Sequence, residues 1–236
     1  MSWVAWICGI GGLVIFVLGF AGGRYDAGRI HRSPAWARMV SSAALVLAAL
    51  VWWWTAGRAT PLAAYTFFLF AGMLCSFVGD LTMAQLLPLK PHLPFGMLAF
   101  GAAHGLYLCG YAQAGQALGL DDPRAWAGGI AGGLVLAALM WWAVIHAPGS
   151  RSVLDYGALG YGLLLGAMAG AAVALALQWP RFWVLAAGAL LFLASDALLG
   201  NRLFRHHDWP LVGDAVWALY IAGQALIVFS TAALLE

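Results

Sequence analysis

Eight runs of about twenty apolar residues, the length a helix needs to cross the ~30 Å hydrocarbon core of a bilayer, divide this chain. They lie at about 3–21, 37–56, 61–82, 93–113, 125–146, 153–178, 181–200 and 211–234. Between them stand RIHRSP, GRATP, PLKPH, DDPR, APGSR, WPR and NRLFRHHD, all turn or interface chemistry. The expected fold is all-α, a polytopic membrane bundle of eight transmembrane helices. Residues 1–236 form one integral membrane domain, with loops too short for a separate soluble unit.

Composition points the same way. Of 236 residues 64% are hydrophobic, 8% are charged and 13 are Trp, outside the usage of soluble globular chains. The run at 3–20 has no basic residue before it, unlike the charged start of a secretory signal, so it reads as a retained first span. Cys8, Cys75 and Cys109 lie in separate apolar segments without C-x-x-C spacing, which implies neither a disulfide framework nor a zinc site. A formal charge of +2 is too small to argue for nucleic acid; the implied surroundings are the lipid bilayer.

The basic residues set an orientation. Odd-numbered loops and their edges hold Arg24, Arg29, Arg32, Arg38, Lys90, Arg151, Arg202 and Arg205, whereas even-numbered loops hold Arg58, Arg124 and Arg181. This bias places the odd loops in the cytoplasm and both termini outside. Helices 3 and 7 then run inward, so Asp80 and Asp196 approach their cytoplasmic ends, and Asp155 and Asp214 start helices 6 and 8 on that same side.

Sliding the chain by 116 residues lays AGMLCSFVGD (71–80) over AGALLFLASD (187–196), matching Ala71 with Ala187, Gly72 with Gly188, Leu74 with Leu190 and Asp80 with Asp196. The offset spans four helices, so the matched segments share a direction. That is the pattern of a 4+4 parallel repeat about an axis along the membrane normal, with chance similarity in an Ala/Leu/Gly-rich chain as the alternative. Such an axis brings the two aspartates face to face.

Asp80 ends about fifteen almost uninterrupted apolar positions. A charged Asp near the centre of a membrane helix costs about 2.5–3.5 kcal/mol on insertion scales, so a chain that keeps one uses it or pairs it. Two readings follow for Asp80 and Asp196. Each caps a helix or pairs with Arg202, Arg205 or Lys90 at the interface; or the two share a secluded pocket, where one protonated acid beside one carboxylate is the equipment of general acid–base hydrolysis. On helix 4, Phe100, His104, Tyr107 and Tyr111 share one face, which reads as the bundle interior, with His104 either near a site or a core histidine bonded to a neighbouring helix. On helix 8, Asp214, Trp217, Tyr220 and Gln224 repeat the pattern, and Gln224 reads as interhelical hydrogen-bond glue.

Several chemistries are excluded. There is no G-x-S-x-G, H-E-x-x-H or P-loop pattern. Lys90, the sole lysine, sits in a loop between prolines, where it cannot carry a retinal Schiff base inside a helix. His206, His207 and Asp208 are adjacent and point different ways, as interfacial loop residues rather than ligands of one metal. Neither a metal nor a cofactor is expected.

FVGD (77–80), FGMLAFGAAHGLYL with its F-x-x-x-H-x-x-Y, GALLFLASDALLGNRLF, and a last helix with Tyr220 and Gln224 in Y-x-x-x-Q register run through residues 70–228. In order and spacing they resemble the lysoplasmalogenase family of eight-helix membrane proteins, also called the YhhN family. Arg38-Met39-Val40-Ser41-Ser42 matches that family's Lys-Pro-Leu-Thr-Thr-like segment loosely, with Arg for Lys and no Pro. The resemblance implies hydrolysis of the vinyl ether bond of a lysophospholipid substrate, a lysoplasmalogen, to a fatty aldehyde and glycerophosphoethanolamine or glycerophosphocholine. Asp80 and Asp196 would then be catalytic, and the expected location is a bacterial inner membrane with the site towards the cytoplasmic leaflet.

The reaction suits two carboxyl groups. A vinyl ether is protonated at carbon to an oxocarbenium-like cation that water attacks, and glycosidases meet such a transition state with paired acids. One aspartate would donate the proton and the other act as base and electrostatic stabiliser, while His104, Tyr107, Asn201 or Tyr220 orients the water or ether oxygen. Arg202, Arg205 or Lys90 would attract the phosphate, and the Gly-rich helices 5 and 6 permit close approach and a lateral slot for lipid. Competing readings of the same residues are a proton- or cation-coupled transporter and a non-catalytic lysolipid-binding protein.

Overall fold

The computed structural model describes residues 3–146 and 153–235. Residues 1, 2 and 236 and the segment 147–152, which includes Arg151 of the charge argument and most of APGSR, lie outside the described residues. The helices are α1 (Trp3–Gly22), α2 (Ala35–Trp52), α3 (Ala63–Met83), α4 (His92–Leu118), α5 (Pro123–Met140), α6 (Val153–Gln178), α7 (Trp183–Arg205) and α8 (Val212–Leu235). Short π-helical turns, Trp53–Gly57 and Trp141–Ile145, extend α2 and α5, and the 3-10 turn Pro180–Phe182 leads into α7. Among the described residues eight helices are long and apolar enough to cross a membrane, at the positions the apolar runs predict.

Boundaries follow local chemistry. Pro123 opens α5 behind Asp122, whose Oδ1 accepts the Arg124 N–H at 2.9 Å. α4 runs past the apolar stretch, through Gln113 and Gln116, and stops at Gly119 with φ +66°. The departure from expectation that bears on the site is at α7. Asn201, Arg202 and Arg205 are read from sequence as loop residues but lie on the helix, which ends only at His206 with φ +55°. Arg and Leu are good helix formers, and cations in a last turn face the negative end of the helix dipole.

Sequential helices pair as hairpins: α1 on α2, α3 on α4, α5 on α6 and α7 on α8. The hairpins close into a ring of α2, α3, α4, α6, α7 and α8, with α1 outside on α2 and α5 outside on α6. The two halves repeat this order of packing: α2 on α3 and on α8 corresponds to α6 on α7 and on α4. Small residues set the closest approaches. A Cβ on Gly129 would stand 2.5 Å from the carbonyl oxygen of Gly170, and one on Gly166 would stand 2.6 Å from the Ala137 Cβ, so α5 and α6 touch through their backbones. At Gly79, the residue before Asp80, a Cβ would lie 2.7 Å from the Phe100 ring; the missing side chain lets that ring lie against α3.

Candidate functional site

Asp80 near the end of α3 and Asp196 on α7 line one cavity of about 220 Å³. Its inner walls include Phe100, Tyr161, Trp217 and Tyr220, and four methionines, Met39, Met83, Met97 and Met140, face it. Unbranched Met side chains adapt to irregular apolar ligands. The cavity reaches the bundle end that carries the 23–34, 84–91 and 206–211 loops, where His31, Arg38 and Arg202 line it. Lining residues at the end of α5 (Met140, Trp141 and Ile145) and on α6 (Ala158 and Gly162) extend it between those helices.

Both acids are held by hydroxyl donors. Asp80 is 4% exposed, and its Oδ2 accepts from Ser42 Oγ at 2.5 Å and from Tyr220 OH at 2.8 Å. Asp196 Oδ2 accepts from Tyr161 OH. The Tyr161 oxygen lies 3.0 Å from Nε2 of the fully buried His104. When Asp196 is ionised the single phenolic proton points at it and His104 donates through Nε2–H, so the three groups form a chain from His104 through Tyr161 to Asp196. Phe192 packs edge-on against Phe100, Tyr220 and His104 at centroid distances of 6.2, 5.2 and 4.9 Å, fixing those rings.

The 116-residue offset that matches Asp80 with Asp196 also lays His104 on Tyr220. In one half the α8 tyrosine bonds the α3 acid directly. In the other the α4 histidine reaches the α7 acid through Tyr161.

The remaining sequence-predicted residues separate into two groups. Arg202 and Tyr220 line the cavity with the two acids, whereas Tyr107, Gln224, Asn201 and Asp214 do not line it and bond helices, a turn or a loop instead. Tyr107 OH donates to Gln224 Oε1 at 2.7 Å in the buried core, so both serve the bonding expected of Gln224 alone. Of the α4 face only Phe100 reaches the cavity, since Tyr107 and Tyr111 pack against α3. Asn201 Nδ2 donates to the Val144 carbonyl at 2.7 Å, tying α7 to the turn after α5. Asp214, 4% exposed, accepts the Arg32 and Ser33 backbone N–H groups at 2.5 and 3.1 Å and the Ser33 hydroxyl, which clamps the 23–34 loop onto α8. Asp155 bonds His146 Nδ1 at 2.6 Å. The four acids therefore share one end of the bundle but not one site.

Sequence reasoning missed Tyr161, Ser42 entered it only through a loose motif, and Arg38 entered through that motif and the loop charge count. Tyr161 does leave a signal, being the one polar side chain in residues 157–177. His31 lines the mouth, and burial, reinforced by the nearby Arg38 cation and partly offset by Asp214 and Asp26, lowers its pKa to about 4. No group of three or more His, Cys, Asp or Glu able to hold a metal stands together among the described residues.

Fold and cavity together define a polytopic helical membrane protein whose ring of helices encloses a paired-acid chamber near one face. Residues 36–231 match the YhhN family, and the chain belongs to it. No curated protein and no solved structure matches the chain.

Proposed function

We propose that this protein is a lysoplasmalogenase-like hydrolase that cleaves the vinyl ether of a 1-alkenyl lysophospholipid within the cavity. The observation that carries the reading is that Asp80 and Asp196, alone in their helices as membrane acids, line one apolar chamber, each held by a tyrosine hydroxyl. YhhN family membership supports it. The cavity's apolar walls suit the alkenyl chain, and its open end suits a polar headgroup.

In this reading one carboxylic acid protonates the vinyl carbon distal to oxygen. The oxocarbenium-like cation is stabilised by the opposite carboxylate, which also takes a proton from the attacking water. The hemiacetal collapses, its C–O bond to glycerol breaks, and the products are a fatty aldehyde and a glycerophospho alcohol; one water is consumed. Two carboxyl groups that exchange a proton across one cavity act as a unit, so this reading assigns the acid and base roles to the pair and to neither residue alone. Ser42, Tyr220 and Tyr161 keep the carboxyl groups oriented as charge moves between them. The charge bias of the loops supports placing the site in the cytoplasmic leaflet of a bacterial inner membrane.

The test is aldehyde release from alkenyl-lysophosphoethanolamine by purified protein in detergent, beside Asp80→Asn, Asp196→Asn and a chelator control. Chelator-insensitive release lost in both variants supports the assignment. A folded wild type that binds the lysolipid and releases no aldehyde refutes it and redirects attention to transport through the same two residues.

A further inference from the structure

Of the basic side chains at or near the mouth of the cavity, Arg202 and Arg205 are already engaged and His31 is uncharged at neutral pH. Arg202 Nε donates to Asp208 at 2.9 Å. Arg205 is locked on the His146 and Trp142 carbonyls. His31, half-buried beside the Arg38 cation, stays neutral above about pH 4. Arg38 differs. It lines the cavity, partly buried on α2, and its Nη1 donates to the Ser33 carbonyl at 2.8 Å and approaches Ser33 Oγ at 3.4 Å. No carboxylate forms an ion pair with it among the described residues. Asp214, across Ser33, is committed to two backbone N–H groups and the Ser33 hydroxyl.

A guanidinium carries five N–H donors. Asp214 and Asp26 attract this guanidinium only from beyond contact; holding it partly out of water with most of its donors unfilled is costly, and an oxyanion that accepts two parallel N–H bonds removes that cost. We propose that Arg38 is the anion-binding residue of the cavity, receiving the phosphate of an ether lipid whose reactive bond lies one helical turn deeper at Asp80 and Asp196. What is hydrolysed rests on the vinyl ether reading above; what is bound does not.

Spacing supports a lipid headgroup over a free anion. Arg38 and Ser42 share a face of α2, four residues apart, a rise of about 6 Å, and Ser42 bonds Asp80. In a 1-ether glycerol 3-phosphate, five single bonds separate the ether oxygen from phosphorus, about 6 Å when extended. A lipid held by its phosphate on Arg38 therefore runs along this wall of the cavity with its ether directed towards the acids. The Ser33 link gives Arg38 a fixed orientation, because Asp214 holds Ser33 and Ser33 holds the guanidinium.

The experiment measures binding of saturated ether analogues, which no vinyl ether hydrolase can cleave, to the full-length protein in neutral detergent. A 1-O-alkyl-glycero-3-phosphoethanolamine is compared with the neutral 1-O-alkylglycerol of the same chain, on wild type, Arg38→Gln and Arg38→Lys, with inorganic phosphate as competitor. Wild type is expected to prefer the phosphate-bearing ether by about ten- to a hundredfold, the range for charge-assisted hydrogen bonds. Arg38→Gln should collapse that preference, and Arg38→Lys should restore part of it. No preference in wild type, or a preference that survives in Arg38→Gln, overturns the proposal. Displacement of the lipid by equimolar inorganic phosphate also overturns it, in favour of a free-anion site. If Arg38→Gln does not fold, the wild-type comparison and Arg38→Lys decide. An Arg38-dependent preference without aldehyde release from the alkenyl counterpart leaves this site standing and refutes the hydrolase reading; aldehyde release without the preference does the reverse.

Discussion

Tyr161→Phe removes one oxygen and tests the link between the core histidine and the site. The hydroxyl donates to Asp196 and accepts from His104 Nε2 at 3.0 Å, so its loss strips a donor from a carboxyl group and leaves a buried N–H without its acceptor. A hydrogen bond to a charged group contributes about 1.5–3 kcal/mol, equivalent to about 10- to 150-fold in rate if it is felt mainly in the transition state. The stability loss should be smaller, about 0.6 to 1.7 kcal/mol, because the membrane-inserted unfolded chain also finds partners for polar groups. The two effects can be separated. Adding His104→Leu to Tyr161→Phe removes the orphaned N–H, so thermal melting in detergent should recover part of the loss while aldehyde release stays low. The reasoning fails if Tyr161→Phe keeps its rate within about twofold of wild type, or if the double variant regains rate together with stability.

Gly79→Val forces two branches into the space of the Phe100 ring, where even a Cβ would lie 2.7 Å away; a loss of about 1–3 kcal/mol from overpacking should appear as a lower melting temperature, relieved by Phe100→Ala. Gly129→Leu should separate α5 from α6, because backbone atoms cannot yield as a flexible side chain can, and crosslinking of cysteines placed across that interface reads the change. His31 carries a pH prediction. Its folded pKa of about 4 lies below the unfolded value near 6.5, so the unfolded state binds the proton first: its contribution to stability is full above about pH 6.5 and is lost as pH falls towards 4. Melting curves of His31→Asn should be flatter than wild type across that window.

Helix number and position were legible because in hydrocarbon the constraint is local: each span satisfies its own backbone and needs a minimum apolar length. That Asp80 and Asp196 stand out together was legible from an unusual residue type at matched positions, and both line one cavity. Tyr161 was not, since a lone Tyr in a Gly-rich helix reads equally well as packing, and only the approach of α6 to α4 and α7 puts its oxygen between His104 and Asp196. Tyr107 and Asp214 went the other way. Their faces were identified correctly as interior, yet depth and rotation decided that one bonds Gln224 and the other clamps a loop.

By itself the sequence determined eight apolar helices, the end of the bundle that gathers the acids and most of the arginines, and the two carboxylates that no lipid-facing position would tolerate. Tertiary structure alone decided which polar groups meet: Ser42 and Tyr220 on Asp80, Tyr161 on Asp196, and Arg38 at the mouth without a carboxylate ion pair among the described residues. Hydrophobic length is summed along one helix and can be read from one, whereas a hydrogen bond across the bundle depends on the relative depth and rotation of two or three helices, which side-chain packing sets.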